Sequence, residues 1–139
     1  MRLHGRIYKD GKWWLAEVPL LDAMTQGRSR KEALAMVADL LETLANRPGF
    51  VVHVHAGKQE AFAVSATDTR GLLSLVLRRQ RERSGLSLAE AAERLGAKSR
   101  NAYARYERGT SVPTLDKLTA LLQAVAPGHD VVLQQSVEA

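Results

Sequence analysis

The chain has 139 residues, no cysteine, and 20 Lys and Arg against 15 Asp and Glu, a formal net charge of +5. That length suits one ordinary domain or two small ones and is too short for a large two-lobed enzyme. The absent thiols exclude disulfides, thiolate zinc sites, iron–sulfur clusters and a cysteine nucleophile, and the basic balance favours a polyanionic partner.

Hydrophobic residues at 45% and charged residues at 25% are ordinary values for a folded chain. Residues 1–10 lack the apolar core of a secretion signal, and no 18-residue apolar run occurs, so a cytoplasmic protein without membrane spans is expected.

In chain order, Arg2 to Tyr8 and Trp13 to Val18 are β-prone and flank Lys9-Asp10-Gly11-Lys12, whose Asp-Gly pair predicts a tight hairpin with positive-φ residues. Pro19 ends the second strand, and Ala23 to Gln26 forms a short third one before Gly27. Ser29 and Glu32 have the spacing of a capping box. They open a helix whose Ala33, Val37, Leu40, Leu41 and Leu44 share a face up to the breaker Arg47-Pro48-Gly49. Phe50 to Ala56 supplies a further strand and Phe62 to Val64 a candidate one, giving a sheet with a helix on one face. Ser65 to Gly71 is small and polar, and residues 66–71 read as a linker between a domain at 1–65 and another at 72–139.

Beyond it, Leu72 to Ser84, Ser87 to Leu95, Ser99 to Arg108 and Thr114 to Ala126 are helix-sized segments. Gly85, Gly96, Gly109 and Pro113 punctuate them. Asp130 to Gln134 reads as a terminal strand or a frayed tail. Charge is concentrated in this half: residues 78–108 carry 9 basic and 4 acidic side chains, a net of +5, whereas residues 1–66 carry a net of +2. Arginines beside short helices joined by a tight turn are what phosphate neutralisation requires, although a solvated helix face has the same composition.

The order of landmarks favours the first reading. Leu86 to Gly96 with Ala91, then Ser99 to Gly109 with the exit Tyr106-Glu107-Arg108-Gly109, then Pro113 before the last helix, resembles the Cro/XRE-type helix-turn-helix family. The resemblance implies that Ser99 to Arg108 enters the major groove of double-stranded operator DNA. By position it implies Arg100, Asn101 and Arg105 as base readers, with Arg suited to guanine and Asn to adenine. It implies Ser87, Lys98 and Arg108 as phosphate contacts, an Arg81–Glu107 ion pair of structural role, and Tyr103 in the core. Between Gly96 and the exit the segment is one residue longer than the commonest pattern of that family.

In the first half, Asp10-Gly11-Lys12-Trp13-Trp14 through Pro19, Thr25-Gln26-Gly27 and Ser29 to Ala33 are similar to the HicB antitoxin family. Asp22-Ala23-Met24 stands where that family often has Pro-Gly-Cys. The resemblance implies an α+β fold: a partial RNase H-like β-β-β-α-β domain followed by an all-α helix-turn-helix domain. It also implies a function, neutralisation of a HicA-type ribonuclease toxin and repression of the chain's own operon by a homodimer or homotetramer.

Trp13 and Trp14 are the candidate partner interface, because adjacent strand residues face opposite ways and one should be core while the other approaches the opposite surface. No enzyme activity, cofactor or metal is expected. Asp10, Glu17, Asp22 and Glu32 show no carboxylate-cluster spacing, and His53 and His55, alternating with Val52 and Val54, fit a half-exposed strand. The alternative function is a helix-turn-helix regulator whose first domain oligomerises or senses a ligand. A residual RNase H-like nuclease is the enzyme reading, and divalent-metal dependence would mark it.

Overall fold

The computed structural model describes residues 1–135, and the chain divides into two compact units, Met1–Leu75 and Val76–Ala139. The first unit is a five-stranded antiparallel sheet with one helix across it. Strands β1 (Leu3–Asp10) and β2 (Trp13–Val18) form the predicted hairpin, with Asp10 opposite Trp13. Its two-residue turn departs from the Asp-Gly expectation: Asp10 ends β1, and Gly11 alone has positive φ (61°), the pattern of a II′ turn.

Pro19 stops β2 and starts a 3-10 turn, Pro19–Leu21, closed by the Asp22 N–H on the Pro19 carbonyl at 3.0 Å. Strand β3 (Ala23–Gly27) then pairs with β2, and helix α1 (Arg30–Ala45) follows. Ser29 Oγ accepts the Glu32 N–H at 3.1 Å, as an N-cap does. The Glu32 carboxylate takes the Arg28 N–H at 2.9 Å, so the predicted capping box closes one residue early.

Strands β4 (Val52–Ala56) and β5 (Ala61–Ala66) complete the sheet in the order β3-β2-β1-β5-β4. The element order therefore follows β-β-β-α-β through β4 and adds β5, which lies between β1 and β4. One sheet face carries Leu3, Ile7, Ala16, Val18, Ala23, Val52, Phe62 and Val64, and these are buried together with Ala33, Val37 and Leu41 of α1. Gly27 permits the close approach of that helix, since a Cβ there would stand 2.5 Å from the Ala33 nitrogen. The opposite face carries Arg6, Tyr8, Trp13, Leu15, Glu17 and Met24 and is half-buried to exposed.

Helix α2 (Thr69–Arg83) starts three residues before the predicted Leu72, because the Asp68 carbonyl already accepts the Leu72 N–H at 3.0 Å. Of the expected linker 66–71, only Thr67 and Asp68 lie outside regular structure, and the boundary between the two units falls within α2. Helices α3 (Leu88–Arg94), α4 (Arg100–Glu107) and α5 (Leu115–Val125) follow. The second unit's core is Leu77, Ala91, Ala92, Tyr103, Tyr106, Leu121 and Val125.

Gly85, Gly96 and Gly109, at φ of 72°, 78° and 74°, end α2, α3 and α4 in Schellman motifs. The N–H groups of Leu86, Ala97 and Thr110 bond the Arg81, Ala92 and Arg105 carbonyls at 2.9 to 3.1 Å. Residues 130–134 form neither helix nor strand. Among the described residues no helix is long and apolar enough to cross a membrane.

Candidate nucleic-acid interface

Helix α4 is placed from its buried side. Tyr103, Ala104 and Tyr106 are buried, and at 100° per residue Asn101, Arg105 and Arg108 form a stripe on the side away from the two tyrosines. All three are exposed. Arg100, the first helical residue, is also exposed, but it stands three and four residues before the buried Tyr103 and Ala104 and so lies on their side of the helix, not on the stripe. Lys98 is exposed in the turn before the helix.

The stripe is organised by its own contacts. The Arg105 guanidinium carbon lies 4.9 Å from the Tyr106 ring centroid, and Arg105 Nη2 donates to Tyr106 Oη at 3.2 Å. Arg108 Nη2 donates to Asn101 Oδ1 at 2.7 Å. Nothing in the sequence signalled that contact, which joins residues seven apart.

Ser87 is the N-cap of α3. Its Oγ accepts the Glu90 N–H at 3.0 Å, and Glu90 Oε1 accepts the Ser87 N–H at 3.1 Å. These bonds, the Ser87 N–H first, hold the Glu90 carboxyl below its usual pKa. As an acceptor in the cap, the Ser87 hydroxyl still carries a proton that a phosphate oxygen can take.

Arg81 fixes the far end of α4 to α2. Its Nε and Nη2 donate to Glu107 Oε2 and Oε1 at 2.9 and 2.7 Å, and Nη1 donates to the Leu86 carbonyl at 2.9 Å. The side chains are 15% and 8% exposed, and the bond to Glu107 raises the pKa of Arg81 above its ordinary value. The Tyr103 hydroxyl is wholly buried beside this pair and makes no hydrogen bond of good geometry among the described residues, and burial pushes its pKa up.

In the first unit Trp14 shares the face of Ala16 and Val18, and Trp13 lies on the opposite one. Neither is core, contrary to the expectation for one of them: both are half-buried, at the hairpin end of β2 where Trp14 opposes Gly27 and Lys9. The Arg28 guanidinium lies 5.8 Å from the Trp13 ring centroid, and Lys12, Trp13 and Arg28 line a cavity of about 270 Å³. His55 Nε2 is 2.7 Å from Ser65 Oγ on the open sheet face. Among the described residues no three His, Asp or Glu side chains are grouped to hold a metal ion, and Asp10, Glu17, Asp22 and Glu32 form no such cluster.

A family model for the helix-turn-helix matches residues 77–125, which take in the C-terminal half of α2 and all of α3, α4 and α5. No curated protein matches the chain. With α3 and α4 joined by a tight glycine turn and α4 presenting a polar, cationic stripe, residues 77–125 are a helix-turn-helix domain of the Cro/XRE type, the domain of a DNA-binding transcription regulator.

Proposed function

We propose that the chain is a HicB-type antitoxin that represses its own operon through this domain and neutralises a HicA-type ribonuclease through its first unit. The observation that carries the DNA half is the exposed stripe of Asn101, Arg105 and Arg108 on the side of α4 away from the two buried tyrosines, with Arg100 and Lys98 exposed at its N-terminal end. On this reading α4 enters the major groove, Arg100, Asn101 and Arg105 address base edges, and Lys98, Ser87 and Arg108 face phosphates. Two copies related by a two-fold axis, in a homodimer or homotetramer, address the halves of a pseudo-palindromic operator.

The first unit is read as a partial RNase H-like layer, a reading that its β-β-β-α-β start supports. Its role is non-enzymatic and needs no cofactor or metal. Its open sheet face offers Tyr8, Trp13, Leu15 and Met24 to the toxin.

Titration of the chain with duplex from its own promoter tests the first half. With 6–10 phosphate contacts, affinity falls roughly 10³–10⁵-fold between about 50 and about 200 mM salt, and an affinity that barely moves refutes the docking. Co-expression with a HicA-type toxin tests the second: a stable complex without ribonuclease activity is expected, and a toxin that remains free and active overturns it.

A further inference from the structure

We propose that Arg108 sets base specificity through Asn101, by holding the Asn101 amide in one of its two flip states. The proposal rests on α4 being the DNA-reading helix, and it changes the role of Arg108 from phosphate contact to positioning residue.

The oxygen and nitrogen of an asparagine amide are nearly the same size. A half-turn about the last side-chain bond exchanges acceptor for donor at no steric cost. An exposed asparagine therefore presents either pattern to a base edge, and only one of them matches adenine, whose edge offers the N6 donor beside the N7 acceptor.

The Arg108 contact removes that ambiguity. A guanidinium has donors only, so the Asn101 atom 2.7 Å from Arg108 Nη2 must be the oxygen. That oxygen has a second lone pair, and with the NH₂ beside it the amide can still address adenine through both atoms.

The helix makes the reach natural. Asn101 and Arg108 lie two turns apart on one stripe, about 10 Å along the axis, and side chains lean toward the N-terminus of their helix. Arg105 stands between them with its guanidinium drawn to the Tyr106 ring, which leaves the path along the helix to Arg108.

The test uses the full chain and duplexes selected by it from a randomised pool. The position read by Asn101 is the one whose preference vanishes in Asn101→Ala. At that position the native chain is expected to prefer adenine by about tenfold, within the usual worth of a bidentate base contact. Arg108→Met should cut the preference to about twofold while leaving it intact at positions read by Arg100 and Arg105, and Arg108→Lys, which keeps a donor, should restore most of it.

Full preference in Arg108→Met, with affinity lowered equally on every duplex, makes Arg108 a phosphate contact and overturns the inference. So does a chain in which Asn101→Ala alters no position. Failure to select any duplex overturns the DNA reading, and this inference with it.

Discussion

Glu107→Gln is expected to destabilise the helix-turn-helix unit selectively. The substitution keeps the shape of the side chain and one acceptor but removes the charge facing Arg81, whose guanidinium is held by Glu107 at 2.7 and 2.9 Å. With the two side chains only 15% and 8% exposed, water cannot replace the lost carboxylate, and stranding one member of a buried pair costs about 3–5 kcal/mol. The lower end applies here because Arg81 retains the Leu86 carbonyl.

A loss of about 3 kcal/mol lowers the melting temperature of so small a unit by roughly 12–24 °C. Both tryptophans lie in the first unit, whereas most helical residues lie in the second. Helical circular dichroism should therefore melt early in the variant while tryptophan emission holds. Arg81→Met with Glu107→Leu, which removes both charges, should recover most of the loss. A Glu107→Gln shift below about 4 °C, corresponding to less than about 1 kcal/mol, would mean that the pair behaves as an exposed one.

Tyr103→Phe removes a buried hydroxyl that makes no hydrogen bond of good geometry among the described residues, so it should be neutral or stabilising by up to about 1 kcal/mol in urea melts. Because burial raises the pKa of that hydroxyl, the unfolded chain ionises first. Stability is intact below about pH 10 and falls above it by up to about 1.4 kcal/mol per pH unit, a slope the Phe variant should lack. Ser87→Ala should cost about 0.5–2 kcal/mol through the cap of α3, measured on the circular dichroism transition. Gly27→Ala should destabilise the first unit by about 1–3 kcal/mol, read by tryptophan emission, because its Cβ would meet the α1 backbone. Lys98→Ala should weaken binding about equally on all sequences and reduce the salt slope by about 1.

What could be read in the sequence was what neighbours in the chain decide. Ser29 as a cap, the segment starts at Ser87 and Thr114, and Gly85, Gly96 and Gly109 as helix punctuation are local chemistry, and the structure places each at a helix terminus. The insertion of β5 between β1 and β4 is a pairing of distant segments, and Ala61 to Ala66 carries only Phe62 and Val64 as buried anchors, too sparse a signal to set sheet order. Residues 66–71 read as linker by composition, yet helix formation from Thr69 depends on Leu72 and Leu75 being buried, which is tertiary information.

The same division runs through the reading helix. Its inward phase is set by Tyr103 and Tyr106 at helical spacing and clamped at the far end by Glu107 on Arg81; once that phase is fixed, Asn101, Arg105 and Arg108 have no direction left but outward. Periodicity thus reveals which side chains face outward. It does not reveal how they are held, because the bond from Arg108 to Asn101 spans two turns, beyond the three- and four-residue neighbours that a helix brings together. On the proposed reading, affinity, set by the number of outward cations, follows from the sequence, whereas discrimination, set by which amide atom faces the base, follows only from the folded arrangement of side chains.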